Sequence, residues 1–373
     1  MSSSPFMAPS GRRRSREASR RRRRRRVLTG AALVPAIAAV AAVLVLVHPW
    51  HTHASAATLH RATRDGAGAR DMTGRAGSSV GLALSPAGLP PGRPPLALNF
   101  AHPAADPVRL AFHEPPRAGL LFNLATGQVL WQRHPLARLR IASLTKMMTA
   151  LLTVRSGGVG GGLNTPVLVT RQAEDTSGSK VGVLPLGHHV SVETMLYGLL
   201  LPSGNDAAVA LAQHVAGTVK RFVGEMNYEA AALGMGCTHY SSPSGYYNTH
   251  NYSCAADLAE LAHVDLEQPR IAHIARTYIA VRPFPIKGGK LYLDNNNPLL
   301  IYGYPGVTGL KTGYTIEAGR CLVATAERHG VRLGVVLLHS PAPGTQAREL
   351  LDDAFERVYH QRPVREPYMP PDA

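Results

Sequence analysis

Two periods of apolar residues alternate along the chain, and the change from one to the other marks its elements. From about residue 107 the pattern is that of a folded body. The run "GLLFNLATGQVLWQ" holds two short apolar stretches around Ala125-Thr126-Gly127, which predicts a β-hairpin. "IASLTKMMTALLTV" then repeats apolar residues at helical spacing, with Ser143 near its start. After the glycine-rich loop 157–162, "VSVETMLYGLLLP" predicts a helix stopped by Pro202. "NDAAVALAQHVAG" predicts an amphipathic helix ending at Gly217, followed by helices in "VKRFVGEMNYEAAALGM" and "CAADLAELAHVDL". The period then shortens. "GVTGLKTGYT", "RCLVATAE" and "VRLGVVLLH" are short and rich in β-branched residues, with turn residues such as His329-Gly330 between them. "ARELLDDAFERVYH" returns to helical spacing.

Strands, a helical middle, then strands and a last helix predict an α+β fold. The simplest arrangement brings the first hairpin and the last three strands into one antiparallel sheet of five, with helices packed on it and a separate all-helical region. The expected folded body is 108–361, with 362–373 a tail too short for a second domain.

Upstream, residues 27–47 form an uncharged stretch of 21 residues. At about 1.5 Å per helical residue it spans roughly 30 Å, the thickness of a bilayer's hydrocarbon core. Eleven arginines and one glutamate in residues 1–26 account for +10 of the chain's +16 charge, leaving a mildly basic remainder. An arginine run can bind nucleic acid, but directly before an apolar span it reads as a cytoplasmic topology signal, and no nucleic-acid partner is expected. The expectation is a single-pass membrane anchor through 27–47, with everything after Trp50 outside the cytoplasm. The competing reading is a signal cleaved after Ala56, because Ala54-Ser55-Ala56 is an A-x-A-like site. The Ala, Gly, Pro-rich segment 48–107 reads as a linker. The 373 residues are 45% apolar and 17% charged, which excludes disorder throughout. The three cysteines exclude a disulfide-dense scaffold and lack zinc-site spacing.

Three short motifs carry candidate chemistry: Ser143-Leu144-Thr145-Lys146, Ser203-Gly204-Asn205 and Lys311-Thr312-Gly313. Ser143 and Lys146, three apart at a helix start, face the same way. A lysine whose pKa is lowered by burial and positive neighbours can take the proton from a serine hydroxyl and make it a nucleophile. Taken alone, each motif also fits a plain role: an exposed helix pair, an N-cap turn, an edge lysine beside a turn. A loop serine and asparagine can supply a proton shuttle and an amide donor. A Lys-Thr-Gly strand can supply charge, a hydrogen bond and close backbone approach for an extended peptide.

Together and in this order, the motifs match the set shared by penicillin-binding proteins and serine β-lactamases. The flanks "IASLTKMMTALL", "LLLPSGNDAAVALA", "SPSGYYNTHNYSCAADLAELA", "NNNPLL" and "GLKTGYTIEAGRCLVATAERHGVRLGVVLL" resemble the low-molecular-mass D-alanyl-D-alanine carboxypeptidases, serine peptidase family S11, over roughly 108–361. The resemblance implies that Ser143 attacks the D-Ala-D-Ala bond of a peptidoglycan stem peptide, with Lys146 as base and Ser203 passing a proton to the leaving amine. It implies that Asn205 holds the peptide and that Lys311 and Thr312 bind the terminal carboxylate. The N–H groups of Ser143 and Tyr314, next to Gly313, would form the oxyanion hole. No metal or organic cofactor is implied, and β-lactams would acylate Ser143.

The chain departs from that family at several places. Asn123 stands where an aspartate is common, Gly187-His188-His189 replaces an acidic turn, and Cys254 replaces a small residue. Some members hold the carboxylate with an arginine after the last strand. Here the segment is short and offers Arg348 in an imperfect fit. Cys237 and Cys254 are either a disulfide pair, with Cys321 left over, or buried thiols. A β-lactamase would need a deacylating carboxylate, often in a Glu-x-x-Leu-Asn loop, and no such string occurs. A non-catalytic penicillin-binding sensor would tolerate loss of Ser143 or Lys146, and both are present.

Overall fold

The computed structural model describes residues 96–100, 105–158, 162–182, 184–246, 250–286 and 288–363. These all belong to the second of two compact units, residues 79–373. The leader, the apolar stretch 27–47, most of the expected linker and the end of the tail lie outside the described residues. Among the described residues no helix is long and apolar enough to cross a membrane.

The chain forms strands β1 (Ala118–Asn123), β2 (Val129–Arg133), β3 (Leu139–Arg140), β4 (Pro166–Leu168), β5 (His189–Ser191), β6 (Tyr252–Ser253), β7 (Ile279–Pro283), β8 (Lys290–Asp294), β9 (Val307–Thr315), β10 (Gly319–Arg328) and β11 (Val331–Ser340). Five of them make an antiparallel sheet in the order β2-β1-β11-β10-β9, the sheet the sequence predicts. In the first hairpin the Asn123 carboxamide oxygen accepts from the N–H groups of Ala125 (2.8 Å) and Thr126 (3.1 Å). Asparagine thus closes the turn as an aspartate would.

The three inner strands are buried on both faces, which is why they read as nearly continuous apolar runs rather than alternating ones. Leu322, Ala324, Leu333, Val335 and Leu337 pack with Leu350, Leu351 and Phe355 on one side. Val323, Val336, Leu338, Leu120 and Phe122 face the larger helical core on the other. That core is built by helices Lys146–Arg155, Val192–Leu200, Asn205–Ala216, Val219–Ala232 and Ala255–Leu266. The Ser191 hydroxyl caps the second of these by accepting from Thr194 N–H, and Thr218 caps the fourth through Arg221 N–H. Residues Val190-Ser191, expected at the start of a helix, are strand instead, because the helix begins only after this cap. The last helix runs Pro343–Asp353 and ends in a π-helical turn, Ala354–Val358.

The folded body reaches further back than the predicted start at 108. Leu96 is buried in the helical core, its N–H donates to Glu260 Oε2 at 2.8 Å, and Asn99 bridges to Gln128. The hairpin β7–β8 is also new relative to the sequence reading. Its exposed Ile279, Val281 and Tyr292 disguise the alternation that would have marked it.

Candidate active site

The short ribbon β3–β6 leads into a 3-10 turn, Ala142–Thr145, which runs directly into the helix Lys146–Arg155. Ala142 has φ +46, an uncommon conformation for a residue with a side chain. Strain of that kind persists where the surroundings hold it, and here it turns Ser143 toward a cleft. On one side of the turn the edge strand β9 passes so close that a Cβ on Gly313 would lie 2.9 Å from Ile141 O and 3.1 Å from Ser143 N. On the other, a Cβ on Gly245 (φ +77) would collide with Ala142 O. Glycine at both positions is what lets the nucleophile turn seat against strand and loop.

The cleft has a volume of about 410 Å³, within the range of small-ligand sites. Of the predicted site residues it is lined by Ser143, Ser203, Thr312, Gly313 and Tyr314. Lys146, Asn205 and Lys311 lie beneath its floor, buried to 0, 1 and 1% exposure. All eight gather around one feature.

Lys146 is the hub. Its Nζ lies 2.7 Å from Ser143 Oγ, 2.7 Å from Asn205 Oδ1 and 3.0 Å from Ser244 O. Burial, and then the charge of Lys311, hold its pKa well below the ordinary lysine value, with the charge of Asp206 pulling the other way. A neutral amine at that spot can accept the proton of the Ser143 hydroxyl. Lys311 is likewise depressed by burial, to about 7, and its Nζ donates to Thr312 O at 3.1 Å.

Ser203 stands in the left-handed region, φ +68, and its buried Oγ has no hydrogen-bond partner. A buried hydroxyl left unpaired in a strained residue calls for a functional reason. Asn205 opens the helix Asn205–Ala216, and its carboxamide is shared between Lys146 Nζ and Ser177 O, to which Nδ2 donates at 2.7 Å. Its observed work is to orient Lys146 and fasten the loop 177–181.

Arg348, which the sequence offers only as an imperfect fit for a carboxylate arginine, is not among the residues lining the cleft. Its helix instead brings it near Tyr304. The arginine that does line the cleft is Arg320 of β10, cross-strand from Tyr314 and held by donation from Nη1 to Pro341 O at 2.9 Å. Sequence reading missed it because a single arginine in a strand carries no motif. It also missed Asn296 and Tyr302, which line the cleft as well. In Asn295-Asn296-Asn297 the outer two are buried and structural: Asn295 Nδ2 donates to Ala275 O and Thr277 O, and Asn297 caps the next helical turn. Only the middle one faces the cleft.

The sequence profile of the family described as "Peptidase_S11: D-alanyl-D-alanine carboxypeptidase" matches residues 115–342. Among individual relatives, the D-alanyl-D-alanine carboxypeptidase DacF of Bacillus subtilis is 35% identical over 66% of this chain and 64% of its own length. The D-alanyl-D-alanine carboxypeptidase of Streptomyces sp. K15 is 32% identical over 64% of this chain and 86% of its own. The crystal structure of the Streptomyces K15 DD-transpeptidase superposes with a TM-score of 0.61 at 31% identity, covering 66% of this chain and 99% of that one. The chain thus spans just under two thirds of one relative's length and most of the other's.

Proposed function

This chain belongs to the D-alanyl-D-alanine carboxypeptidase family, Peptidase S11, and from that premise we propose that it is a serine D-Ala-D-Ala carboxypeptidase acting on peptidoglycan stem peptides. The observation that carries the reading is the fully buried Lys146 amine, depressed in pKa and 2.7 Å from the Ser143 hydroxyl.

Ser143 Oγ attacks the carbonyl carbon of the penultimate D-alanine while Lys146 Nζ takes the hydroxyl proton. The close approach of β9 to Ser143 N supports an oxyanion site between the Ser143 and Tyr314 N–H groups. The C–N bond breaks as the unpartnered Ser203 hydroxyl, its own proton replenished from Lys146, protonates the leaving D-alanine. Water, deprotonated by Lys146, then cleaves the Ser143 ester and frees the shortened peptide. The substrate's terminal carboxylate meets Lys311, Thr312 and Arg320, and a β-lactam enters by the same route and stays on Ser143 as an ester.

The full chain, purified in detergent, is expected to release D-alanine from diacetyl-Lys-D-Ala-D-Ala and to keep a fluorescent penicillin bound for many turnover times. Rapid penicillin hydrolysis without D-alanine release would replace this reading with a β-lactamase. We also propose that residues 27–47 anchor the chain, with the body outside the cytoplasm. Deleting residues 1–50 should then move the protein from the membrane to the soluble fraction, and retention in the membrane would refute the anchor.

A further inference from the structure

Outside the cleft, the described cysteines are not scattered. The Sγ atoms of Cys237 and Cys254 and a carboxylate oxygen of Asp257 lie within 4.8 Å of one another, and both sulfurs are thiols. The backbone explains the meeting. His239 and Tyr252 pair as an antiparallel bridge, each N–H donating to the other's carbonyl at 2.9 and 3.1 Å. One residue further out, the hydroxyls of Thr238 and Ser253 sit 2.7 Å apart. The next residues outward are Cys237 and Cys254, and although the Cys237 N–H turns away to Asp257 Oδ2, the converging chains leave the two Sγ atoms within 4.8 Å of each other.

We propose that Cys237 and Cys254 are a disulfide-forming pair that closes the segment between them as a covalent loop once the chain meets an oxidising milieu. The reaction is a thiol–disulfide exchange. The Cys237 thiolate attacks a disulfide of the oxidant, either a small-molecule disulfide or a dithiol oxidoreductase. The mixed disulfide is resolved by Cys254, and the oxidant leaves as two thiols having taken the two electrons. Cys237 is the partly exposed member and Cys254 the buried one, which sets the order of attack. Burial raises the Cys254 thiol, so it resolves rather than initiates. A metal ion is the rival occupant of two thiols and a carboxylate. Asp257 Oδ2 already accepts from Cys237 N–H and Thr238 Oγ1, both at 2.7 Å, so that oxygen serves to hold the turn.

The loop that the bridge would close belongs to the catalytic frame. It carries Ser244 O, an acceptor of the Lys146 amine, and Pro243 O, which accepts from Thr149 Oγ1 at 2.7 Å. Its returning strand β6 pairs with β3, the strand that delivers Ser143. A covalent tie at the base of this ribbon pins both sides of the nucleophile turn.

The test uses the full chain purified under reducing conditions and equilibrated with oxidised and reduced glutathione. The expected result is a mass decrease of about 2 Da, reversed by dithiothreitol. Cys237 and Cys254 should lose maleimide reactivity together, and a linked peptide should join them. The oxidised form should melt about 6 °C above the reduced one, a gap absent in Cys237→Ser, whose substitution at a partly exposed site spares the fold. Ser143→Ala should show the same redox behaviour, so failure of the serine chemistry would leave this result untouched. Three outcomes overturn the proposal: both thiols still alkylatable after oxidation, Cys321 in the linked peptide, or one Zn²⁺ per chain held by the reduced pair and blocking its oxidation.

Discussion

Ser203 illustrates what a single residue reveals when its hydrogen bonds are counted. Its hydroxyl is buried, unpartnered and carried on a left-handed residue, so the fold gains nothing from it. Ser203→Ala should therefore leave the melting temperature within about 1 °C of the parent while lowering kcat by roughly 10²–10⁴-fold, the usual cost of losing a positioned proton-transfer group. A large drop in stability with near-normal turnover would assign it a structural role. Lys311 makes a prediction in pH. Its folded pKa is near 7. A depressed cation contributes stability that is complete above its unfolded value and lost as pH falls through the folded one. In catalysis the sign is opposite, because the charged form binds the substrate's carboxylate. kcat/KM should thus decline above about pH 7, and Lys311→Arg, which keeps its charge, should move that decline by more than one pH unit to the alkaline side. An unchanged alkaline limb would remove Lys311 from carboxylate binding.

Between elements, the decisive contact is the one between β9 and the turn that carries Ser143. The missing Cβ of Gly313 leaves the strand against Ile141 O and Ser143 N. Gly313→Ala should push the two apart, costing about 1–3 kcal/mol of stability and at least 10²-fold in penicillin acylation. Acylation at the parent rate, measured by stopped-flow labelling, would show that this spacing does not matter. This contact also marks how far sequence reasoning reaches. Ser143, Lys146 and Lys311-Thr312-Gly313 were legible because the chemistry requires those residue types at fixed spacings. Ser244 was not, because it contributes a backbone carbonyl that any residue could supply. Arg320 was not, because its place in the cleft comes from strand register and from its bond to Pro341, neither of which leaves a pattern in the chain. The hairpin β7–β8 was missed for a related reason: exposed apolar residues on it blur the alternation on which strand reading depends.

At the scale of the molecule, sheet membership and the helical middle followed from the succession of periods, whereas the strand order and the start of the body did not. The Pro-rich composition around Leu96 suggests a linker, yet Leu96 is buried and its N–H rests on Glu260. Burial raises that carboxyl to about 7, the Leu96 N–H opposing the shift. A raised acid contributes stability that is complete below its unfolded value near 4.5 and lost as pH rises through 7. Glu260→Gln keeps an acceptor without the charge, so it should raise the melting temperature at pH 8 and leave it nearly unchanged at pH 4.5. An equal shift at both pH values would contradict the account.

The central claim is that Ser143, activated by Lys146, is the acylated nucleophile, and the most direct measurement is the site of a penicillin ester. The full chain is incubated with benzylpenicillin, its intact mass recorded, and the adduct mapped by peptide fragmentation. One adduct per chain on Ser143 is expected, absent in Ser143→Ala and slowed by at least 10³-fold in Lys146→Ala. An adduct on Ser203 or elsewhere, or persistent labelling of Ser143→Ala, would contradict it.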